Sequence, residues 1–259
     1  MTEKYTEQVF IPNFFTDKAK RLRIKTMCDL FNDIAQQHTI KLGTDVDTIN
    51  PLGFTWMLRH LHIVINKIPQ RWQTVTLNTW CAKINGLLVE RDYSFCNSEN
   101  IPVVEANSKW MYIDFKERRP LRPTEMMYKC AERNEEKEFT YPSLFSRKES
   151  KGDFSELVDE PNGSNIWRKS DIFSASYNDI DFNGHVTQSS YVQWMMNALS
   201  YDFLNNHELK EIETIYAHEI MPDGKAYVEW YMTEKNIVTM LVKSEDGSML
   251  HCWGRAVFN

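Results

Sequence analysis

The chain has 259 residues, 42% hydrophobic and 25% charged, with a formal net charge of −6. That length and balance exclude disorder as the main state and allow one large domain or two small ones, each with a genuine core. The acidic total argues against a generic nucleic-acid binder, yet it is uneven: residues 1–130 carry 18 Lys and Arg against 14 Asp and Glu, and residues 131–259 carry 12 against 22.

In chain order, Tyr5–Ile11 reads as extended. Ile24, Met27, Cys28, Phe31, Ala35, His38 and Leu42 then recur at helical spacing, and Gly43 is placed to end that helix. Val75, Leu77, Thr79 and Cys81 alternate with Thr74, Thr76, Asn78 and Trp80, and Leu87, Val89, Tyr93 and Phe95 repeat the pattern. A long strand continues from Val103 to Phe115. Period 2 with one apolar face indicates an antiparallel sheet packed on one side. Residues 118–164 read as a polar connector, with a charged run at Glu132–Glu138, another at Lys148–Gly152, and Pro120, Pro123, Pro142 and Pro161 as punctuation. The sequence then repeats itself in kind. An extended segment at Ile166–Ser174 precedes a helix from about Ser189 to Asn205, with Tyr191, Trp194, Met195 and Ala198 on one face. Three strands follow, at Ala226–Thr233, Ile237–Lys243 and Met249–Phe258, the last two joined through Glu245-Asp246-Gly247-Ser248.

The order strand, helix, several strands thus occurs twice. A helix lying on a curved antiparallel sheet, duplicated, is an α+β tandem (double) hotdog. The expected division is 1–117 for the first module, 118–164 for the connector and 165–259 for the second.

Five widely spaced cysteines (Cys28, Cys81, Cys96, Cys130, Cys252) include no CxxC pair, so a disulfide framework or cysteine-rich zinc site is not expected. No apolar leader opens the chain and no run of about 18 apolar residues occurs, which predicts a cytoplasmic protein without a membrane span. His60 and His62 lie i, i+2 on a strand with no third ligand at suitable spacing, so they read as structural and no metal is expected. The absence of GxSxG, P-loop and GxGxxG patterns leaves no support for a serine elbow or a nucleotide cofactor.

The segment Tyr177–Val186 carries the chemistry. Asp181, Asn183 and His185 sit at i, i+2, i+4, which on extended backbone points all three to one side, just before a helix N-terminus. A carboxylate, an amide, an imidazole and a positive dipole end suit a reaction that develops an oxyanion. The same spacing also fits a polar loop in which Asp181 and Asn183 satisfy turn and cap bonds. Glu219 shares a face with Ile215 and Ala217 if Glu213–Ile220 is a strand. A carboxylate there is either used or marks a solvated strand end.

These residues resemble a family. Asp181-Phe182-Asn183-Gly184-His185-Val186 with Tyr191 and Trp194 is similar to the signature of acyl-acyl-carrier-protein thioesterases, here in a bacterial form. Trp56-Met57-Leu58-Arg59, Thr79-Trp80, Gly86, Arg91-Asp92, Ser108-Lys109-Trp110, Asp114 and Arg118-Arg119-Pro120 match in order in the first module. The resemblance implies a catalytic network of Asp181, Asn183, His185 and Glu219, without a cofactor, hydrolysing fatty acyl-acyl-carrier-protein to free fatty acid and ending chain elongation. Asp181 and Glu219 would activate or position water, His185 would assist proton transfer, Asn183 would orient the network and the second helix would polarise the carbonyl. Thr187-Gln188 stands where the family has Asn-Asn, with Thr187 a reasonable cap. Ile220 stands where plant members have Cys, which excludes a thiol nucleophile there.

The resemblance also puts the acyl slot in the first module, beside Met27, Phe31, Trp56, Met57 and Leu58, residues that equally fit an ordinary core. The acidic carrier protein would need a basic patch. Lys18, Lys20, Arg21, Arg23 and Lys25 form one cluster, and Arg118, Arg119 and Arg122 another, although solvated charged faces look the same. A homodimer is a further expectation. A hotdog acting on acyl-CoA and a non-catalytic acyl-thioester binder are the other readings.

Overall fold

The computed structural model describes residues 4–132, 139–157 and 166–259. The charged run over 133–138 and Pro161 lie outside them. The chain divides into two compact units, Met1–Tyr141 and Pro142–Asn259, so the division falls inside the expected connector.

In the first unit the elements are β1 (Tyr5–Phe10), α1 (Ile24–Leu42), α2 (Val46–Ile49), β2 (Phe54–Ile65), β3 (Thr74–Asn85), β4 (Leu88–Cys96), β5 (Pro102–Asp114), β6 (Arg119–Pro120) and α3 (Glu125–Glu132). The strand order is β1-β3-β4-β5-β2, with the two-residue β6 on the end of β5, and the pairs are antiparallel. The helix α1 has the predicted limits and ends on Gly43 in the left-handed region. Its buried stripe includes Met27, Phe31, Ile34, Ala35 and His38. Phe31 lies with its ring centroid 4.8 Å from Tyr93 and 5.0 Å from Phe95, on the apolar face of β4. Burying one such ring stabilises by roughly 1.5–3 kcal/mol, which is why helix and sheet require each other. The expected connector is not featureless, because Met127 of α3 is buried in a cluster with Ile49, Cys81, Val89 and Tyr112. A polar average over 118–164 hides these few apolar contacts.

The second unit contains β7 (Arg168–Lys169), β8 (Phe173–Ser174), α4 (Gln188–Asn197), α5 (Tyr201–Asn206), β9 (Leu209–Tyr216), β10 (Lys225–Met232), β11 (Ile237–Ser244) and β12 (Leu250–Phe258). Its strand order is β9-β12-β11-β10-β7, with β8 also on β10. The expected single extended segment Ile166–Ser174 is broken into β7 and β8. At the break Ser170 N still donates to the Val228 carbonyl, but the Ser170 hydroxyl replaces its carbonyl as acceptor for the Val228 N–H and donates to the Asp171 carbonyl. The expected helix Ser189–Asn205 is likewise two helices: α4 ends at Ala198, and the Ser200 hydroxyl accepts from Phe203 N to start α5 afresh. Tyr191, Val192, Trp194, Met195 and Met196 of α4 are buried, and Trp194 stacks on Phe173 at 5.9 Å. Phe145 packs with Ile215, Leu241 and Trp253, and Glu149 forms a buried pair with Arg255, so 143–149 is built into this unit. Each unit is a hotdog, an antiparallel sheet with a helix on its apolar face, and the fold is α+β.

Candidate active site

The residues from Asp181 to His185 are not extended. Ile180 and Val186 form an isolated antiparallel bridge. Asp181 N donates to the His185 carbonyl at 2.8 Å, so the intervening chain turns back on itself. Asp181 Oδ1 accepts from Asn183 N at 2.8 Å and from His185 N at 3.2 Å, an Asx turn closed by Gly184 at φ +81°. The period-2 reading therefore fails here for a local reason: an aspartate that can bond its own backbone two residues on, followed by Asn-Gly, stabilises a turn better than a strand. Asp181 and His185 therefore stand opposite one another across the base of the turn.

Glu219 also departs from the expected strand, since β9 ends at Tyr216 and Glu219 lies three residues beyond it. Its carboxylate Oε2 is 3.6 Å from His185 Nε2, with the two side chains 30% and 14% exposed. The turn and the Glu219 loop are tied directly, Val186 N donating to the Ile220 carbonyl at 2.9 Å. The structure thus brings together Asp181, His185 and Glu219. Asn183 supplies its backbone N–H, while its carboxamide has no hydrogen-bond partner among the described residues. Thr187 is the N-cap residue of α4, but its hydroxyl is turned to Gln188 Oε1 at 3.1 Å and caps nothing.

Two further side chains hold this loop, and neither was assigned a role from the sequence. The buried Tyr191 hydroxyl accepts from Ile220 N at 2.9 Å. His251 takes Ala217 N and His218 N on its carbonyl, and its ring Nδ1 meets the His218 carbonyl at 3.2 Å. A carbonyl oxygen can only accept, so Nδ1 carries the proton. Burial lowers the imidazole's affinity for a second proton. The peptides on both sides of Glu219 are therefore fixed from α4 and β12. Tyr191, one turn into the helix after the signature, was visible as a motif residue. His251 reaches His218 only through the β9–β12 register, in which Cys252 stands opposite Tyr216.

In the first unit an apolar pocket of about 40 Å³ opens between α1 and the sheet. Ala35 and Thr39 of α1 line it with Trp56, Val89, Trp110 and Met127. Of the expected acyl-slot residues, Trp56 is in this wall, its indole N–H donating to the Thr44 carbonyl. Met27 and Phe31 are buried in the core elsewhere along α1, and Met57 and Leu58 belong to β2 without being among its lining residues. Of the basic groups, Arg21 is paired with Asp17 at 2.8 Å and Arg23 donates to the Phe14 carbonyl. Arg118, at φ +50°, Arg119 and Arg122 are exposed around Leu121, which packs on the cluster holding Trp56 and Met127. Among the described residues no three His, Cys, Asp or Glu side chains gather as a metal site, and no helix is long and apolar enough to cross a membrane. His62 packs edge-on against Phe139 at 5.0 Å.

This architecture recurs in solved structures. An acyl-ACP thioesterase from Bacteroides thetaiotaomicron superposes with a TM-score of 0.82 over 99% of this chain and 98% of its own, at 20% identity. The 12:0-ACP thioesterase of Umbellularia californica gives 0.77 at 14% identity, over 99% and 97% of the two chains. In sequence, the chloroplastic oleoyl-acyl carrier protein thioesterase 2 of Arabidopsis thaliana is 25% identical over 231 residues, 85% of this chain and 60% of the plant protein. The chain thus spans about 60% of the length of that relative. The acyl-ACP thioesterase N-terminal domain family matches residues 2–130 and the C-terminal domain family matches residues 167–251. Two domain families in the right order, over most of its length, establish that the chain belongs to the acyl-ACP thioesterase family.

Proposed function

We propose that the protein hydrolyses the thioester of fatty acyl-ACP, releasing free fatty acid and the carrier thiol. The observation that carries this reading is the approach of Glu219 Oε2 to His185 Nε2, 3.6 Å, beside the Asp181 turn in a chain of this family. A separation slightly beyond a hydrogen bond leaves room for tightening when substrate binds. Glu219 takes a proton from water as the water oxygen bonds to the thioester carbon, and passes it across the 3.6 Å contact to His185 Nε2. The carbon–sulfur bond then breaks, and His185 returns the proton to the departing sulfur. Asp181 is a positioning residue, because its Oδ1 is committed to the amides of Asn183 and His185. The unbonded Asn183 carboxamide is available to the carbonyl oxygen of the substrate, and the α4 N-terminus adds a positive field for a developing oxyanion.

The acyl chain enters at the pocket lined by Ala35, Trp56 and Met127, which opens beyond its about 40 Å³ to take a fatty chain, and Arg118, Arg119 and Arg122 receive the acidic carrier next to it. Arg21 is the weaker choice for docking because Asp17 already takes its charge. Four described cysteines are unbridged and buried, which supports a cytoplasmic location.

The decisive experiment follows thiol release from acyl-ACP and acyl-CoA of several chain lengths. Glu219→Gln, His185→Ala and Asp181→Ala should each lower turnover by about 10²-fold or more. Hydrolysis of acyl-CoA alone points to the CoA reading, and no hydrolysis of either points to a binding protein. Reversing the three arginine charges should raise KM for the carrier substrate and spare a small acyl thioester.

A further inference from the structure

Phe10, Phe14 and Trp72 are 55%, 71% and 64% exposed. Their segments are laced together. Ile11 N donates to the Gln73 carbonyl and Trp72 N to the Ile11 carbonyl, while Arg71 N reaches the Lys20 carbonyl and Leu22 N the Pro69 carbonyl. Residues 10–23 and 69–73 therefore form one continuous surface of the first unit. Cations stand beside the rings. The Arg71 guanidinium lies 3.9 Å over the Trp72 ring and donates to Asn13 Oδ1, and Arg23 donates to the Phe14 carbonyl at 3.2 Å. The acids of the region are engaged, Asp17 with Arg21 and Asp29 with Lys25. Among the described residues Arg23 and Arg71, by contrast, have only neutral partners. Trp72 also sits at φ +67°, a region costly for a bulky residue and suited to glycine. A strained, exposed indole stacked under a guanidinium is not explained by packing.

We propose that this surface docks the protein on an anionic lipid bilayer. The chain as a whole carries −6, so general attraction to an anionic membrane is unfavourable and a local cationic face has to supply it. The three rings stand on a strand end, a short 3-10 turn and a loop. They are three exposed rings on three separate segments, a pattern suited to entering the boundary between headgroups and acyl chains. Aromatic side chains prefer that boundary, and neighbouring guanidinium groups meet lipid phosphates there. A protein partner would instead be expected to seat such rings in pockets of its own. The proposal does not depend on the catalytic reading.

The test is flotation of the whole protein with vesicles of phosphatidylglycerol and phosphatidylcholine in equal parts, against phosphatidylcholine alone. The expected result is binding to the anionic vesicles only, weakened by salt. The pair Arg23→Glu and Arg71→Glu should reduce it by at least about tenfold. Phe14→Ser with Trp72→Gly should do the same, and glycine accepts the Trp72 backbone geometry, so this pair keeps the fold. KM for acyl-ACP should not change in the Phe14→Ser and Trp72→Gly pair. No binding of the parent protein to anionic vesicles overturns the proposal. A carrier KM raised in both pairs with vesicle binding intact overturns it in favour of a protein-docking face. A dimer in light scattering that the same variants dissociate overturns it in favour of self-association.

Discussion

Replacing Tyr191 by Phe tests whether the Glu219 loop is held for catalysis. The substitution keeps the buried ring, which packs 5.8 Å from both Trp194 and Tyr216, and removes one oxygen. That oxygen is the acceptor for Ile220 N at 2.9 Å, and both residues are almost fully buried, at 4% and 3% exposure. Water cannot replace the lost partner without opening the site, so the orphaned N–H costs about 1–3 kcal/mol. At about 2–4 °C per kcal/mol, the melting temperature should fall by roughly 2–12 °C. The loop keeps its bonds to His251 and Val186, so the protein still folds, but the peptide immediately after Glu219 is freed. A carboxylate displaced by about 1 Å lowers turnover by up to about 10²-fold, and KM should barely move because the hydroxyl is bonded inside the protein. Stopped-assay thiol release from acyl-ACP, with thermal unfolding in parallel, reads both effects. A folded variant whose kcat stays within about twofold of the parent, despite the stability loss, would refute the positioning role.

Gly184→Val should destabilise by about 1–2 kcal/mol through its φ of +81° and reduce kcat by misplacing His185, checked by urea unfolding and turnover. Burial is the main influence holding the Asp92 carboxyl up at about 6, against the hydrogen bond from Asn107. The folded state therefore binds the proton more tightly than the unfolded chain, and stability should decline as pH rises from about 4 to 6 and then level off. The total is about 3 kcal/mol, and Asp92→Asn should remove this slope from denaturant midpoints measured against pH. Ala35→Leu narrows the pocket beside Trp56 and Met127, so activity should shift toward shorter acyl chains in a chain-length panel, at an overpacking cost of about 1–3 kcal/mol. An unchanged chain-length profile would place the acyl group elsewhere.

The elements whose pattern is local were legible from the residues. The helix Ile24–Leu42 follows from its 3.6-residue apolar repeat and the glycine after it, and the hairpin between β11 and β12 from its alternation and the Asp-Gly turn. The family signature likewise singled out Asp181, His185 and Glu219 before any geometry. What alternation could not decide was the backbone under them. An i, i+2, i+4 triad serves a strand or an Asx turn equally well, and the choice rested on one carboxylate oxygen bonding two amides. The break between α4 and α5 depended on the Ser200 hydroxyl meeting Phe203 N, a competition that apolar periodicity does not register. The clamp from Tyr191 and His251 lay further still from sequence, since it joins residues 29 and 33 positions away from their partners. Local propensity and patterning act over one or two turns of chain. Bonds across packed elements exist only after the sheet register has set which residues meet, and the tertiary structure alone decides that.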